Sequence, residues 1–341
     1  MSLPIAADTR GYRREFLDHD YIIDSKMNAY VIVGNRHPPG GVFAYKKYTI
    51  RPPTVHPWRR PGYTFERAFR EYSPAVARQA EHAFYYISPE DGTIFPLVST
   101  SRVLFHLKPE LGLKALFHRT SDPLEERILD LARALHREIG VPYEKIGVTG
   151  SVLLGIHNPE KSDIDMVVYD CSYKKAIEDR GLLEPLRGRE LEQWLVKAAR
   201  RLKLPRMVVE RLYDPSRRGY FEGSLTTIVY VQPAGTRYGQ NVKPPTVYLG
   251  LITVKVELAR LDCTHHYFPH LARGFVRGVV RGPRGILDLP VEIAVYETLY
   301  SSAIDRCSHV IVTGKAIQHG NAHLRIVVGT RESTTTILPA A

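Results

Sequence analysis

Cysteine and long hydrophobic runs are scarce in this sequence of 341 residues, and each shortage excludes a class of protein. The three cysteines, at positions 171, 263 and 307, lie far apart and are odd in number, which argues against a disulfide framework and favours a reducing compartment. No stretch approaches about 18 uninterrupted apolar residues, so no transmembrane helix is expected. Residues 1–16 contain no apolar segment of the kind that a signal peptide needs. We therefore expect a cytoplasmic protein with no membrane partner.

Positive and negative charges are not balanced in the sequence. Lysine and arginine number 47 against 36 for aspartate and glutamate, which gives a formal net charge of +11, and 20 tyrosines accompany them. Guanidinium groups bind phosphate in a bidentate manner, and aromatic rings beside them suit single-stranded nucleic acid. The excess charge therefore favours a polyanionic partner such as RNA, although a composition shaped by a hot or GC-rich source would produce the same excess.

Three parts of different composition follow one another along the chain. Residues 1–115 contain short β runs, a proline-rich segment at 51–63 and a helix predicted around residues 65–85, which indicate a small α/β domain. Residues 116–262 alternate helices and strands, beginning with a helix that Ser121 or Asp122 can cap and that Gly140 ends. Residues 263–341 are almost entirely β-like and predict a barrel or a sandwich, with an OB-like barrel as one form.

The segment at residues 147–170, GVTGSVLLGIHNPEKSDIDMVVYD, carries the clearest chemical signal. A predicted strand delivers Gly150 and Ser151 into the first turn of a helix, where free backbone N–H groups and the helix dipole favour an anion such as a triphosphate. Asp163 and Asp165 follow on the next predicted strand and, at i and i+2, project from the same face. Paired carboxylates beside a phosphate site are what divalent ions need for in-line phosphoryl transfer.

These residues resemble the signature of the nucleotidyltransferase superfamily that includes DNA polymerase beta, CCA-adding enzymes and the minimal nucleotidyltransferases. The resemblance implies that Gly150 and Ser151 bind the triphosphate of an NTP, and that Asp163 and Asp165 bind two Mg²⁺ ions, which Mn²⁺ can replace. It also implies a palm-like mixed sheet with flanking helices, so the expected fold class is α+β. Two further segments, HPPGGVFAYKKY from residue 37 and RIVVGTR from residue 325, look like those of an uncharacterised archaeal group of predicted nucleotidyltransferases.

The superfamily usually supplies a third carboxylate from a neighbouring later strand, and no residue here matches a motif for it. Glu257 is the first candidate for this catalytic role, because it lies in the apolar β run TVKVEL at residues 253–258. Asp262 and Glu222 are rival candidates. A solvent-facing position on a strand is the alternative interpretation of Glu257.

Three weaker signals lie outside the paired-carboxylate pattern. Arg273, Arg277 and Arg281, each followed by glycine, favour either contact with a phosphate backbone or a hairpin with its arginines on the wet side. The cluster CTHHYFPH at residues 263–270 lacks the ligand spacing of a usual zinc finger, so a β turn is the preferred interpretation. His157 lies between the two halves of the motif and is a candidate for substrate contact.

We expect a metal-dependent nucleotidyltransferase that transfers NMP from an NTP to a hydroxyl acceptor and releases pyrophosphate. The charge favours RNA as the acceptor, and a protein or a small molecule stays open. Two alternatives come from other classes. One is a nucleic-acid-binding protein whose nucleotidyltransferase domain is inactive, and the other is a toxin–antitoxin-type enzyme that modifies a protein partner.

Overall fold

The structure, a computed structural model, describes residues 15–52, 59–60, 63–68, 84–88, 90–235, 247–259, 262–320, 323–330 and 334–340. In these residues helices and strands alternate, and the strands form three sheets that follow one another along the chain. None of the helices in these ranges is long and apolar enough to cross a membrane. The chain is thus a protein of mixed α and β structure.

In the described part of the chain the first sheet has eight strands. They are β1 (Tyr21–Asp24), β2 (Asn28–Ile32), β3 (Gly41–Arg51), β4 (Arg59–Arg60), β5 (Tyr63–Arg67), β6 (Phe84–Ser88), β7 (Thr93–Ser99) and β8 (Val103–Leu107). Side chains alternate along β1, so that Tyr21 and Ile23 pack on one face of the sheet and Ile22 on the other. The Tyr21 face packs against Leu153 and Leu154, which brings the first sheet to the predicted phosphate-binding segment.

The described residues of the predicted N-terminal α/β domain, 1–115, are mainly β, with one α-helix that begins at Pro109. β5 and β6 occupy the two ends of the helix expected around residues 65–85, because their aromatic residues favour pairing with β3 and β7. Residues 69–83, and with them the middle of that expected helix, lie outside the described residues. The same holds for residues 53–58 and 61–62 of the proline-rich segment.

Two helices, α1 (Pro109–His118) and α2 (Pro123–Ile139), connect the first sheet with the second. The Asp122 carboxylate accepts two backbone N–H bonds from the first turn of α2, at 2.9 and 3.1 Å. Gly140 ends the helix with a φ of 84°, in the left-handed region that favours glycine. Both predicted ends of α2 are therefore confirmed, and its apolar face packs on the second sheet.

The second sheet carries the predicted site. Its elements, in chain order, are β9 (Ile146–Val148), α3 (Gly150–Leu153), β10 (Ile164–Val168), α4 (Lys174–Arg180), β11 (Glu184–Pro185), β12 (Arg218–Phe221) and β13 (Ser224–Tyr230). The sheet is mixed, because β10 pairs antiparallel with β9 and parallel with β13. Ile164 and Met166 pack toward α2, whereas Val167 lies on the opposite face with Leu17. Asp165, two residues from Val167, shares that second face, which is turned to the N-terminal part of the chain.

The third sheet closes into a five-stranded barrel. Its strands are β14 (Val247–Leu258), β15 (His270–Arg281), β16 (Pro290–Val295), β17 (His309–His319) and β18 (His323–Val328), and β19 (Thr336–Pro339) pairs with β17 in addition. The ring runs β14-β15-β16-β18-β17 and returns to β14. Helices α5 (Gly188–Leu202), α6 (Arg206–Leu212) and α7 (Ser301–Arg306) pack on its apolar core. A C-terminal barrel, one of the two predicted forms, is thus confirmed.

β14 sets where the barrel begins. It pairs with β15 and β17, although sequence analysis assigned residues 247–258 to the second domain, 116–262. The barrel therefore begins before residue 263, the predicted start of the third domain. The sequence alone gives no sign of this, because an isolated apolar strand has the same composition in either sheet.

Cys171 and Cys263 form a disulfide that joins the second sheet to the barrel. Cys171 follows β10 and Cys263 precedes β15, with a sequence separation of 92 residues. The hydroxyl of Tyr267 accepts a hydrogen bond from the Cys171 N–H at 3.0 Å beside the bridge. The prediction against a disulfide is therefore wrong, and the inference of a reducing compartment loses its basis.

We expect the double variant Cys171→Ser/Cys263→Ser to lose roughly 4 kcal/mol of unfolding free energy, because the bridge closes a long loop in the unfolded chain. Urea unfolding under oxidising conditions measures this loss. Cys307→Ser is the matched control, since Cys307 is a free cysteine in the described part of the chain, and its unfolding midpoint should stay near that of the wild type. Equal midpoints for the wild type and the double variant would contradict a stabilising bridge.

Candidate active site

Gly150 lets the turn after β9 lie directly against the carboxylate of Asp165. The Thr149 N–H donates to the Asp165 carbonyl oxygen at 2.9 Å and ties the turn to β10. Gly150 has a φ of 68°, and a Cβ at this position would overlap Asp165 Oδ2 and lie 3.2 Å from Asp165 Cγ. Only glycine combines this backbone conformation with so close an approach. The structure thus brings together the turn and the aspartate strand that the motif predicts to be neighbours.

Asp163 and Asp165 form a pair of carboxylates on one side of β10. They flank Ile164, which is fully buried, and both are only partly buried, with 42% of the Asp163 side chain exposed. Burial raises the pKa of Asp163 and the charge of Asp165 raises it further, against the opposing effect of Arg218. The charge of Asp165 therefore makes Asp163 harder to ionise, and a cation bound between the two carboxylates would remove that repulsion.

The first turn of α3 offers hydrogen-bond donors beside this pair. Its first backbone bond runs from Leu153 N to Thr149 O, so the N–H groups of Gly150, Ser151 and Val152 precede it, and no acceptor for them occurs among the described residues. The Thr149 side chain does not cap the turn, because its hydroxyl donates to the His19 carbonyl oxygen at 2.7 Å. Three amides and the Ser151 hydroxyl can therefore donate to the oxygens of an anion.

A threonine and an arginine stand where the superfamily resemblance implies a third carboxylate. Thr227 on β13 lies in register with Asp165, and Arg218 on β12 lies in register with Thr227. Arg218 Nη1 donates to Thr227 Oγ1 at 2.8 Å, and Arg218 Nη2 lies 3.5 Å from Asp163 Oδ2. Neither β12 nor β13 contains aspartate or glutamate. The side of the pair away from Gly150 is therefore lined by a cation and a hydroxyl group.

The first sheet covers the same face with basic and aromatic side chains. Burial raises the pKa of Tyr21 well above its usual value, and the charges of Asp165 and Arg67 act on it in opposite directions. Arg67 also lowers the pKa of Asp163, so its guanidinium group lies within electrostatic reach of the pair. Lys47 Nζ lies 5.6 Å from the centre of the Tyr21 ring. The pair thus faces positive charge from the first sheet as well as from Arg218.

Glu257, the predicted third carboxylate, lies on β14 of the barrel and not on a strand next to β10. Its Oε2 accepts a hydrogen bond from Arg277 Nε at 2.6 Å, and this contact lowers the pKa of Glu257. The assignment rested on a neighbouring strand, so the barrel position removes its basis. Of the rivals, Glu222 lies exposed in the β12–β13 turn, and Asp262 caps a short turn by accepting the Thr264 N–H.

The histidine cluster before β15 belongs to a network of ion pairs. Cys263 is bonded to Cys171 and cannot act as a thiolate ligand. His265 and His266 could hold a metal together with Asp305, but Lys174 Nζ already lies 2.9 Å from Asp305 Oδ2. Burial acts to raise the pKa of Asp305. Hydrogen bonds from the two histidines and from Lys174 outweigh this effect and hold the pKa far below its usual range. The preferred interpretation of a structural turn fits this arrangement better than zinc.

His157 packs against the start of α2. Its Nε2 lies 2.8 Å from Asp122 Oδ2 and 3.6 Å from Glu125 Oε1, and the imidazole is 8% exposed. These three residues could also hold a metal. Asp122 and Glu125 are engaged with backbone N–H groups of the same turn, so the group resembles a helix cap that His157 completes. This position gives no support to His157 as a candidate for substrate contact.

Two histidines, the buried His266 and the half-buried His37, should make the protein sensitive to acid. Burial lowers the pKa of His37 and of His266 to about 4. Each ring accepts one hydrogen bond at Nδ1, from the Phe43 N–H at 3.2 Å and from Arg217 Nη2 at 2.9 Å respectively, which fixes a neutral tautomer. Unfolded histidine takes up its proton near pH 6.5, so the unfolded state binds more protons between pH 6.5 and 4 and stability falls as the pH falls.

We expect the wild type to lose on the order of 3 kcal/mol through His266 alone between pH 6.5 and 4, with His37 adding to the loss. Melting temperatures across this range test it. His37→Gln should lose less than the wild type, because an amide can accept from Phe43 and donate to the Phe16 carbonyl oxygen without titrating. His118→Gln, at the exposed end of α1, is the control. A pH profile unchanged by His37→Gln would speak against this origin.

The Arg-Gly segment forms the exposed side of β15. Arg273 pairs with Glu292 at 3.2 Å, and Arg277 pairs with Glu257 at 2.6 Å and with Asp288 at 2.9 Å. Acidic partners within the barrel thus compensate the charges of two of the three arginines. This placement agrees with the second interpretation from the sequence, in which the arginines lie on the solvent-exposed side of a paired strand.

Two residues of the site, Arg218 and Thr227, were not identified from the sequence. Their part in the site depends on the parallel pairing of β10 with β13, which brings together segments about 60 residues apart. The one signal in the sequence for their role is that the Asp-x-Asp strand is followed by a later strand, residues 224–230, that contains no acidic residue. Comparisons of the chain with protein-family models, curated proteins and solved structures gave no match.

Proposed function

We propose that the chain is a metal-dependent nucleotidyltransferase that transfers NMP from an NTP to a hydroxyl acceptor and releases pyrophosphate. The contact of Gly150 with Asp165 carries this proposal, because it puts a donor-rich turn and a carboxylate pair in one place. Mg²⁺ is usually held by one or two carboxylates together with substrate phosphates and not by a cage of protein ligands. The half-exposed pair of Asp163 and Asp165 suits that mode of binding.

Each group in the site has a part in the proposed reaction. The amides of Gly150 and Ser151 and the Ser151 hydroxyl donate to oxygens of the β and γ phosphates. Asp163 and Asp165 hold the divalent ions. Bound Mg²⁺, or Mn²⁺ in its place, supplies neutralisation of phosphate charge and alignment of the displacement. Arg218, 3.5 Å from Asp163, adds positive charge beside the transferred phosphate.

The mixed sheet around β10 supports the proposal. β9 delivers the glycine turn, and β10 carries Asp165 and is directly preceded by Asp163. β13 lies beside β10 in parallel, an arrangement compatible with a palm-like sheet. Among the described residues, β12 and β13 supply no third carboxylate of the kind that helps to hold the metal or to activate the attacking hydroxyl group in the superfamily. This lack favours the second candidate function, a nucleic-acid-binding protein whose nucleotidyltransferase site binds nucleotide without turnover.

Labelled nucleotides distinguish the two functions. The protein is incubated with Mg²⁺, total cell extract and each NTP, labelled in one series at the α phosphate and in the other at the γ phosphate. We expect the α label to enter an acceptor and the γ label to leave as pyrophosphate. Binding of NTP without transfer of the α label would support the inactive binding protein, and label on a protein would support the toxin–antitoxin-type alternative.

A further inference from the structure

A cavity of about 640 Å³ opens beside the aspartate pair. It lies between β3 and β7 of the first sheet, β13 of the second sheet, helix α5 and the segment that follows β16. Arg218 and Thr227 belong to its wall and also border the pair, through Arg218 Nη2 at 3.5 Å from Asp163 and the register of Thr227 with Asp165. The cavity therefore begins one strand away from the carboxylates, at a strand spacing of about 4.8 Å.

The cavity lies on the side from which an acceptor must approach. In an in-line displacement the attacking and leaving oxygens stand on opposite sides of the transferred phosphorus. Gly150 and its amides, which would hold the leaving pyrophosphate, adjoin Asp165 from the β9 side. The β13 side, with Thr227 and Arg218, is the opposite one. The attacking hydroxyl group therefore enters from the cavity.

One wall of the cavity is aromatic. The rings of Phe43, Phe95, Tyr296 and Phe268 contact one another in that order, with centroids 5.1, 5.2 and 5.6 Å apart. Trp194 of α5 lines the cavity as well. Such rings offer faces and edges to a planar ring system. A planar, ring-bearing ligand suits this wall better than a flexible aliphatic one.

Another part of the cavity lining is basic. Lys197, Arg217 and Arg218 belong to this lining. Arg217 Nη2 donates to His266 Nδ1 at 2.9 Å and its Nε lies 3.8 Å from Asp214 Oδ2, whereas Arg218 Nη1 donates to Thr227 Oγ1 at 2.8 Å. Lys197 has no ion-pair partner within the described part of the chain. The carboxylates that also line the cavity are engaged, as Glu297 is with Arg201 at 3.0 Å. Positive charge and aromatic rings in one cavity suit a ligand that carries both an anionic group and an aromatic ring.

We propose, on the basis of the nucleotidyltransferase function above, that this cavity is the acceptor site and takes a free molecule of the size and chemistry of a nucleoside monophosphate. A hydroxyl oxygen of the acceptor forms a bond to the α phosphorus of the NTP. The bond from that phosphorus to the bridging oxygen breaks, pyrophosphate leaves, and the hydroxyl proton passes to solvent. Ligand pockets of 300–1,000 Å³ hold single small molecules, so a volume of about 640 Å³ favours one nucleotide over an RNA chain.

Calorimetric titration with AMP, GMP, CMP and UMP tests the acceptor site on the full chain without needing turnover. We expect at least one of them to bind the wild type, and Lys197→Ala to weaken that binding about tenfold, the loss of one charge-assisted hydrogen bond. Arg200→Ala is the matched control, because it removes an exposed cation from the same helix outside the cavity. Its affinity should equal that of the wild type.

Binding that Lys197→Ala leaves unchanged, or no binding by any of the four, overturns the acceptor proposal. Binding of an unstructured RNA 12-mer with none of the four monophosphates overturns it in favour of RNA. The NTP labelling assay is independent of these titrations. If the α label is transferred but no monophosphate binds, the acceptor proposal is wrong and the proposed function stands. If a monophosphate binds but receives no α label, the proposed function is wrong and the cavity is a nucleotide-binding site.

Discussion

Replacing Asp163 and Asp165 together with asparagine is expected to lower nucleotidyl transfer by at least about 1,000-fold while the protein stays folded. The two carboxylates are the groups that would hold the divalent ions, and such ions contribute several kcal/mol to a phosphoryl-transfer transition state. Asparagine keeps the shape of aspartate and removes both charges. Initial rates of α-label transfer at saturating Mg²⁺ measure the loss.

The stability of this double variant is part of the same prediction. Burial and the charge of Asp165 raise the pKa of Asp163, so the folded state holds the ionised pair at a disadvantage. Removing the repulsion should leave the melting temperature unchanged or raise it, because the ion pair lost with Arg218 is long and partly exposed. A melting temperature several degrees lower would mean that the pair stabilises the fold and would weaken its assignment to metal binding.

Asp170→Asn is the matched control for the double variant. Asp170 lies two residues after the C-terminal end of β10 and pairs with Lys145 at 2.7 Å. Its hydrogen bonds with Lys145 and Ser172 outweigh the effect of burial and lower its pKa. Its replacement should cost stability and leave transfer unchanged, the reverse of the effect at the pair. Turnover that survives in Asp163→Asn/Asp165→Asn would end the assignment of the reaction to these carboxylates.

Gly150→Ala is expected to lower transfer by roughly 100-fold and to destabilise the protein by about 1–2 kcal/mol. The φ of 68° is unfavourable for alanine, which accounts for the loss of stability. The added Cβ would overlap Asp165 Oδ2, so the carboxylate must move, and a displacement of about 1 Å in a catalytic group costs about 100-fold in rate. Rate and urea midpoint are measured on the same preparation.

Gly140→Ala separates the two effects of this substitution. Gly140 also has a positive φ, 84°, but a Cβ there meets nothing within 4 Å. Its replacement should therefore reproduce the loss of stability and leave the rate unchanged. If both glycine variants lost the same activity, general destabilisation would explain the result and the contact between Gly150 and Asp165 would have no special part in the reaction.

Local features of the sequence predicted local structure well. The cap at Asp122 and the stop at Gly140 bounded α2, and the Gly-Ser turn and the Asp-x-Asp strand were placed as neighbours because a short connection leaves few arrangements. The five-stranded barrel followed from a long series of β runs. The residues that bound α2, and those of the turn and the aspartate strand, lie within about 20 positions of one another, whereas the barrel was predicted only as one of two forms.

Features that depend on distant pairing were not predicted. The disulfide joins Cys171 to Cys263, and the assignment of β14 to the barrel depends on its pairing with β17, more than 50 residues later. Glu257 has the same local pattern as a palm strand residue, and only the pairing of its strand excludes it from the neighbourhood of β10. Arg218 and Thr227 enter the site through the β10–β13 pair. Long-range strand pairing is not encoded in local residue patterns.

Counting bound Mn²⁺ by electron paramagnetic resonance tests the central claim most directly, because the signal of free Mn²⁺ falls when the ion binds. The titration compares the wild type with Asp163→Asn/Asp165→Asn, each with and without an NTP analogue that resists transfer. We predict one or two ions bound to the wild type, with affinity that rises when the analogue is added, and loss of these ions in the double variant. Identical Mn²⁺ binding by the two proteins in the presence of the analogue would contradict the claim that Asp163 and Asp165 hold the ions of a nucleotidyltransferase.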